Sequence, residues 1–344
     1  MKKNLSPLLI AGPCSAESET QVWELAKTLK NSGKVNIFRA GIWKPRTKPG
    51  SFEGIGEIGL SWLEEIQKTL NFPVATEVAT VVQVEKALKH NIQIFWLGAR
   101  TTVNPIYVQE LADVLKGTQV QVWIKNPLHA DLALWEGAIE RFLQNNIKIG
   151  AIHRGFHRYG EKMYRNAPEW SIPLTLRQHY PELKILCDIS HIAGNRNLLT
   201  NLAQKSLDFG FDGWMIETHA TPDQALSDAI QQLTPKALFT LLANLKFYQK
   251  TSDKKDIVLE NLREHIDLCD EQLRQILFAR MDIVRQIAVH KKQHQLQILQ
   301  FDRWQLISER YKTTFREQGL SEKFAEKLVD LIHEESLNLQ NQYQ

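Results

Sequence analysis

Residues 94–100 read IFWLGAR: four β-prone apolar residues, then Gly98, and then the cation Arg100 two positions later. A short continuous apolar run of this kind is typical of a strand that is buried on both faces of a parallel sheet. The glycine indicates that the strand ends there in a loop. The stretch therefore predicts a buried strand that delivers a charged residue to its carboxyl end.

The same arrangement recurs along the first 250 residues. Short apolar runs lie at residues 8–11, 36–40, 74–78, 94–97, 120–125, 149–153, 185–188 and 213–218. Helix-like segments such as 82–90 and 106–115 separate them, and the spacing of ~20–37 residues fits βα units. Eight such units predict an α/β fold, a (β/α)8 TIM barrel. A doubly wound open sheet is the competing fold, and the lack of a GxGxxG turn after an early strand disfavours it.

The chain changes character near residue 250. All 12 prolines lie at or before Pro235, and Gly319 is the one glycine after Gly213. We therefore predict a barrel domain over 1–250, a polar linker over 251–255 and an all-α, three-helix domain over 256–344. The helices are predicted at 256–292, 302–318 and 321–340, with Ser321 as an N-cap. The first is roughly 50 Å long at 1.5 Å per residue. Its apolar stripe predicts a homodimer, with higher assembly left open.

Composition excludes several classes of protein. With 43% hydrophobic and 24% charged residues, the chain is predicted to be globular rather than disordered. The net charge of +3 and the absence of a basic tract argue against nucleic-acid binding. There is no run of ~18 apolar residues, so no membrane span is expected. The N-terminal apolar run is broken by Pro7, which argues against a signal peptide. Three widely spaced cysteines fit a reducing cytoplasm.

The predicted strand ends carry a set of cations. Because chemistry in such barrels lies at the carboxyl ends of the strands, these side chains should converge. Converging cations repel one another unless anions lie among them, so the ligand should carry phosphates or carboxylates. The members of the set are Arg39, Lys44, Arg46, Arg100, Lys125 and Arg154.

A second set of residues, at the strand ends or in the loop or helix that follows, has ligand chemistry. It consists of Cys14, His191, Glu217 and Asp228. A thiolate, an imidazole and two carboxylates suit one divalent ion such as Mn, Fe, Co or Zn. The alternative, which spacing leaves open, is that Cys14 and His191 are core residues and that the acids only neutralise the arginines.

Five motifs occur in order: AGPCS at 11–15, KPRT at 44–47, GAR at 98–100, CDISH at 187–191, and MIE at 215–217 followed by LSD at 226–228. Together they closely resemble the type I 3-deoxy-D-arabino-heptulosonate 7-phosphate (DAHP) synthases, nearest to their short β subgroup, over residues 5–250. The resemblance implies a TIM barrel that condenses phosphoenolpyruvate with erythrose 4-phosphate at the entry of the shikimate pathway.

The resemblance also implies roles for individual residues. Cys14, His191, Glu217 and Asp228 match the metal ligands. Arg39, Lys44, Ala99, Arg100, Lys125 and Arg154 match the phosphoenolpyruvate contacts, and Pro45, Arg46 and Thr47 match the erythrose 4-phosphate motif. Glu77 and Asp188 match polar groups near the reacting centre, and Lys44 is a candidate proton donor. Ile189 departs from the motif, which usually has proline there.

Two rival functions remain for the barrel. The 3-deoxy-D-manno-octulosonate 8-phosphate synthases share its N-terminal motif, but they carry a Lys-Ala-Asn-Arg-type motif where this chain has residues 44–47, KPRT. That difference favours the four-carbon sugar. The second rival is an inactive scaffold that only binds ligands, and the intact set of candidate metal ligands argues against it.

Residues 256–344 resemble the all-helical chorismate mutases, which form domain-swapped dimers. The matching positions are Arg263, Arg280, Lys291, Arg303, Ser336 and Gln340. The resemblance implies that Arg263 of a partner and Arg280 hold the two carboxylates, that Lys291 and Gln340 bond the breaking ether oxygen, and that Ser336 and Arg303 orient the site. Trp304 and Gln300 depart from the family pattern. They leave open a domain that only dimerises and senses ligand, and chorismate or prephenate could inhibit the barrel through it.

Overall fold

A computed structural model of the protein describes residues 7–44, 50, 52–247 and 257–343. It divides into two compact units, Met1–Tyr248 and Gln249–Gln344. The residues Pro45, Arg46 and Thr47, predicted to contact the sugar phosphate, lie outside the described residues.

The first unit is a closed barrel of parallel strands, paired in sequence order with the last strand against the first. The strands are β1 Leu8–Gly12, β2 Ile37–Arg39, β3 Val74–Glu77, β4 Ile94–Leu97, β5 Gln121–Lys125, β6 Lys148–His153, β7 Ile185–Asp188 and β8 Gly213–Glu217. Their ends differ from the predicted runs by at most one residue. The predicted barrel is therefore confirmed, and the open doubly wound sheet was wrong.

Helices surround the strands. They are α1 Glu19–Asn31, α2 Ile58–Leu70, α3 Val81–Lys89, α4 Ala99–Thr102, α5 Pro105–Val114, α6 Leu132–Gln144, α7 Ser171–His179, α8 Ile189–Ala193, α9 Leu199–Asp208 and α10 Pro235–Ala243. Several begin at an N-cap that accepts a backbone N–H, as Thr80 does for α3 and Asp131 does for α6. Two short helices, α4 and α8, begin directly after β4 and β7 and lie at the barrel mouth.

The interior of the barrel is filled by one buried side chain from each strand. These are Ile10, Ile37, Ala75, Trp96, Trp123, Ile152, Leu186 and Met215. The larger of them each stabilise the fold by roughly 1.5–3 kcal/mol through burial. A filled interior leaves the carboxyl ends of the strands as the place where polar side chains can meet a ligand.

Gly12 allows the first two strands to approach closely. Its φ is +152°, and a Cβ at this position would lie 2.0 Å from the carbonyl oxygen of Arg39. No side chain fits there without moving backbone. The glycine therefore sets the spacing between β1 and β2 at the level where Cys14 and Arg39 enter the site.

The second unit contains three helices, α11 Ile257–Gln293, α12 Phe301–Glu317 and α13 Glu322–Asn341. Ser321 accepts the N–H of Phe324 at 3.2 Å, which confirms it as the N-cap of α13. A small core of Val284, Ala288, Ala325 and Val329 is buried. Large apolar residues remain on the surface of α11, among them Ile266 at 59% and Leu273 at 53% exposure. None of the described helices has the length and apolarity to cross a membrane.

Candidate active site

Three of the four predicted metal ligands meet at the barrel mouth. One ligand atom each from Cys14, Glu217 and Asp228 lies within 4.8 Å of the others, and Cys14 Sγ is 3.4 Å from Asp228 Oδ2. Cys14 follows β1, Glu217 ends β8, and Asp228 lies in the loop after β8 with φ +47°. A thiol and two carboxylates held this close fit a divalent transition metal, whose charge would relieve the repulsion between the acids.

Burial governs the thiol. It raises the pKa of Cys14 to about 12, together with the charges of Glu217 and Asp228, while Lys44 opposes the shift. The Lys44 ammonium lies 3.0 Å from Cys14 Sγ. Even with this ammonium beside it, the thiol stays protonated at neutral pH, whereas a bound divalent ion deprotonates a coordinating thiol.

His191 lies beside this group. Its Nδ1 is 2.9 Å from Asp188 Oδ2 and 3.9 Å from Glu217 Oε1. Among the described residues, only Cys14, Glu217 and Asp228 have ligand atoms that all lie within 4.8 Å of one another, so His191 is outside this group. Asp188 also accepts Lys125 Nζ at 2.8 Å. Burial acts to raise the pKa of Asp188, but His191 and Lys125 outweigh it and hold the pKa well below its usual range. Asp188 is therefore an anion that fixes a lysine and a histidine.

Arg39 carries hydrogen-bond donors that no described residue accepts. It is 1% exposed, donates from Nη2 to Glu217 Oε1 at 3.2 Å, and stacks over the Trp96 ring at 4.8 Å. Its Nε and Nη1 have no hydrogen-bond partner among the described residues. Buried unpaired donors are costly, so a guanidinium with two of them is suited to receive an anionic ligand.

A second buried arginine is held on the other side of the mouth. Arg154 donates to Asn166 Oδ1 at 2.9 Å, and its backbone N–H bonds Asn126 Oδ1 at 2.6 Å. Burial lowers the pKa of Arg154 to about 10, and the charges of Arg165 and Arg100 add to this effect. Such crowding of cations around a concave site favours a ligand with several negative charges.

The GAR motif supports Glu77. Trp96 Nε1 donates to Glu77 Oε2 at 3.1 Å. A Cβ at Gly98 would lie 2.2 Å from Glu77 Oε1, so the glycine leaves the space that the carboxylate occupies. Ala99 and Arg100 begin α4 directly behind it, with Ala99 buried and Arg100 exposed. The glycine is thus needed for the position of an acid on the neighbouring strand.

Sequence reasoning missed two residues that contact the acids. Arg165 donates to Asp228 Oδ1 at 2.9 Å, and Gln231 donates to Glu217 Oε2 at 2.6 Å. Arg165 lies in a loop and Gln231 ends the short 3-10 turn Ala229–Gln231, and no strand-end position marks either residue. The signal that could have found Gln231 is its place three residues after Asp228 on one tight turn.

The second unit brings several predicted mutase residues together. Arg280 donates to Ser336 Oγ at 2.7 Å, and Gln340 Nε2 donates to the Ser336 carbonyl at 3.2 Å. Gln340 Oε1 is buried without a partner among the described residues. Lys291, 9% exposed, donates to the Ile298 carbonyl at 2.5 Å. Arg263 and Arg303 lie on the exposed surfaces of α11 and α12.

Trp304 borders the same cluster. Its ring stacks on His333 at 5.5 Å. Burial lowers the pKa of His333, and the charge of Arg280 lowers it further. The buried Trp304 Nε1 has no partner among the described residues. A buried N–H donor therefore belongs to the residue after Arg303, where the mutase pattern often has a glutamate.

Comparison with known proteins identifies both units. The DAHP synthetase I family model matches residues 3–254. The chorismate mutase type II model matches residues 262–341.

Individual relatives carry the names of both activities weighed above, and the one named for the heptonate shares the higher identity. A phospho-2-dehydro-3-deoxyheptonate aldolase from Thermotoga maritima is 32% identical over 69% of this chain and 68% of that protein. A 2-dehydro-3-deoxyphosphooctonate aldolase from Coxiella burnetii is 26% identical over 70% of this chain and 89% of that protein. The crystal structure of the Thermotoga maritima DAHP synthase superposes with a TM-score of 0.62 at 30% identity, covering 69% of this chain and 67% of that one. The chain belongs to the DAHP synthetase I family through its barrel and carries a chorismate mutase type II domain after the barrel in the sequence.

Proposed function

We propose that the barrel condenses phosphoenolpyruvate with erythrose 4-phosphate to DAHP and phosphate, as a member of the β subgroup, and that the helical unit converts chorismate to prephenate. The observation that carries the first activity is the buried Arg39, with two unpaired donors beside the cluster of Cys14, Glu217 and Asp228. An anionic substrate can pair with the guanidinium while its reaction partner meets the metal site.

The barrel residues divide the work. Four cations hold the carboxylate and phosphate of phosphoenolpyruvate: Arg39, Arg154, Lys125 and Arg100. Ala99 contributes a further contact to the same substrate. Cys14, His191, Glu217 and Asp228 would hold one divalent ion, Mn, Fe, Co or Zn, whose contribution is Lewis-acid polarisation of the aldehyde. Pro45, Arg46 and Thr47 would bind erythrose 4-phosphate.

The reaction forms a carbon–carbon bond and a carbon–oxygen bond to water, and it breaks the carbon–oxygen bond to phosphate. The methylene carbon of phosphoenolpyruvate bonds to the aldehyde carbon, and water adds at the carbon beside the carboxylate before phosphate leaves. Lys44, which lies 3.0 Å from Cys14 Sγ, gives a proton to the former aldehyde oxygen. Glu77 and Asp188 keep the surrounding cations in place, and the 2.8 Å contact of Asp188 with Lys125 supports this role.

Loss of the ultraviolet absorbance of phosphoenolpyruvate, followed with purified protein and Mn²⁺, tests the synthase. Erythrose 4-phosphate and arabinose 5-phosphate are offered separately, each with and without EDTA. Turnover with the four-carbon sugar alone, abolished by EDTA, is expected. Turnover with arabinose 5-phosphate alone would instead favour an octulosonate 8-phosphate synthase, and no turnover with either would favour a binding scaffold.

The mutase reaction needs shape and charge rather than a proton shuttle. Arg280 and a partner's copy of Arg263 would hold the two carboxylates. Lys291 and Gln340 would bond the ether oxygen, with Ser336 and Arg303 orienting the site. The 2.7 Å contact between Arg280 and Ser336 and the unpaired Gln340 Oε1 support this assignment. Disappearance of chorismate absorbance measures it directly.

A homodimer through the helical unit completes the proposal. The exposed apolar residues of α11 support it, among them Ile266, Leu273 and Ile276. A group of large apolar side chains on one helix is ordinarily buried against another protein surface. Further association of dimers and a cytoplasmic location are parts of the same proposal. Inhibition of the barrel by chorismate or prephenate would follow if the helical unit also senses ligand. Synthase rates that do not change at saturating prephenate would remove that regulatory role.

The donor Trp304 Nε1 favours a second candidate for the helical unit, a dimerising module that binds ligand without turnover. Purified protein that binds prephenate but leaves chorismate unconverted would support this candidate over the mutase.

A further inference from the structure

Gln231 lies between the two acids of the proposed metal site. Its side chain is fully buried, and its Nε2 donates to Glu217 Oε2 at 2.6 Å. Its Oε1 accepts Arg165 Nη1 at 2.7 Å, and the same Nη1 lies 2.9 Å from Asp228 Oδ1. One continuous chain of hydrogen bonds thus joins Glu217, Gln231, Arg165 and Asp228.

An amide matches both partners in the middle of this chain. The position needs a donor toward a carboxylate and an acceptor toward a guanidinium, and a glutamine side chain supplies one of each. The partners also fix which end is which, because Glu217 only accepts and Arg165 only donates. The backbone N–H of Gln231 bonds the Asp228 carbonyl at 3.2 Å, so a single turn carries both the acid and the amide.

The adjacent glutamine shows that this arrangement is specific. Gln232 accepts the backbone N–H of Cys14 at 3.0 Å and donates to the Ser227 carbonyl at 2.8 Å. Its amide therefore bonds the backbone, whereas both described hydrogen bonds of the Gln231 amide are to side chains. Glu217 Oε1 is already engaged by Arg39 at 3.2 Å, so Gln231 provides the second restraint on a buried carboxylate.

We propose that Gln231 is the positioning residue of the metal centre: it orients the Glu217 carboxylate and, through Arg165, sets the place of Asp228 relative to it. This inference rests on the metal-dependent function proposed above. It predicts that metal affinity, rather than substrate contact, is what the residue controls. Partners of this kind, one step behind the ligands, typically contribute ten- to hundredfold in affinity.

Titration with Co²⁺ alone tests the inference on the full-length protein. Wild type is expected to bind Co²⁺ with a thiolate charge-transfer band from Cys14. Gln231→Met, which keeps the size and removes both hydrogen bonds, is expected to bind Co²⁺ about ten- to hundredfold more weakly. The band should persist in this variant at saturating Co²⁺, because Cys14 is untouched. Arg165→Met perturbs the same chain from its half-exposed side and should also weaken binding.

Coupling between the two residues sharpens the test. The double variant should lose less affinity than the product of the two single losses, because both act through one chain of bonds. Ser206→Ala is the matched control: it removes a buried hydroxyl that bonds Trp214, away from the site, and should leave Co²⁺ affinity unchanged. Wild-type Co²⁺ affinity in Gln231→Met would overturn this inference and leave the proposed metal-dependent function standing. The same holds if the loss of affinity in the double variant equals the product of the two single losses. Absence of Co²⁺ binding by wild type would overturn the proposed metal-dependent function as well.

Discussion

The barrel mouth and the helical unit both carry cations suited to an anionic substrate, but the contacts of these cations differ. In the barrel, Arg39 and Lys125 are buried and each pairs with an acid of the same chain. In the helical unit, Arg280 contacts a serine hydroxyl, and Arg263 lies on the exposed surface of a long helix. Strands of a closed barrel bring distant residues together by topology, whereas residues along one long helix remain spread out.

The difference has a consequence for assembly. The barrel buries its cations against acids, so its site can be complete within one chain. The helical unit leaves Ile266, Leu273 and Ile276 more than half exposed beside its cationic residues. Under the proposed homodimer, we therefore expect the mutase site, but not the barrel site, to depend on a second copy. Each of the following experiments separates the two regions.

The largest effect is expected from Cys14→Ala. Loss of a proposed ligand should lower synthase turnover by at least about a hundredfold. Residues that only hydrogen-bond to metal ligands typically contribute about ten- to hundredfold, and a ligand itself should contribute more. Chorismate conversion by the same preparation should keep its wild-type rate, because Cys14 lies in the other unit. Both assays on one sample check this, and a parallel fall in mutase rate would show that the two sites do not work independently.

Arg280→Gln is the reciprocal change. Removing the charge that faces Ser336 should lower mutase kcat/KM by roughly a hundredfold, the usual effect of losing one preorganised donor, and should leave the synthase rate unchanged. Arg285→Gln is the matched control, because Arg285 is exposed and pairs with Asp282 on the same helix. Equal losses in the two variants would argue against a substrate contact at Arg280.

Ile266→Asp tests the dependence on a second copy. A charge in the exposed apolar face of α11 should dissociate the dimer, with sedimentation velocity showing the monomer. Mutase activity should fall about tenfold or more because Arg263 would no longer reach a partner's site. Leu320→Asp changes another exposed apolar residue, in the turn before α13, and should leave sedimentation unchanged. A stable dimer in Ile266→Asp would mean that α11 does not form the interface.

The smallest effect concerns acid stability of the barrel. His153 is buried among Phe156, Trp170 and Phe211, and burial lowers its pKa to about 3. The unfolded chain, with a histidine pKa near 6.5, then binds the additional proton as pH falls from about 6.5 to about 3. The barrel should lose up to roughly 1.4 kcal/mol of stability per pH unit in that window.

Urea unfolding at several pH values measures this effect, with the fluorescence of the buried Trp96 and Trp123 as the signal. His153→Gln should flatten the dependence on pH between about 3 and 6.5 while lowering stability at pH 7. An unchanged slope in the variant would assign the acid sensitivity to other groups.

Sequence patterns predicted the barrel well because each strand is marked by a short local pattern. An apolar run of four to six residues with a glycine or a charge behind it places the strand end to within one residue. That in turn predicts which polar side chains reach the mouth, as the meeting of Cys14, Glu217 and Asp228 illustrates. The amide of Gln231 and the guanidinium of Arg165 could not be placed in this way. Their positions depend on the path of two loops, and a short pattern does not encode such a path.

The helical unit shows the opposite balance. Helix ends are marked by residues such as Ser321, so the three helices follow from the sequence. The orientation of His191 at the barrel mouth and of Trp304 on α12 depends on side-chain packing. The structure places the Trp304 ring on His333, a contact that no spacing rule anticipates.

Gly12 has an implication for reading mutational data. Every substitution there would bring a Cβ against the Arg39 carbonyl, and so would push apart the two strands that deliver Cys14 and Arg39. In a survey of all single substitutions scored by growth, Gly12 should tolerate as little change as a metal ligand. Intolerance at this position would reflect backbone geometry. A map of essential residues drawn from such a survey would therefore suggest a catalytic role for Gly12, which has no side chain to supply one.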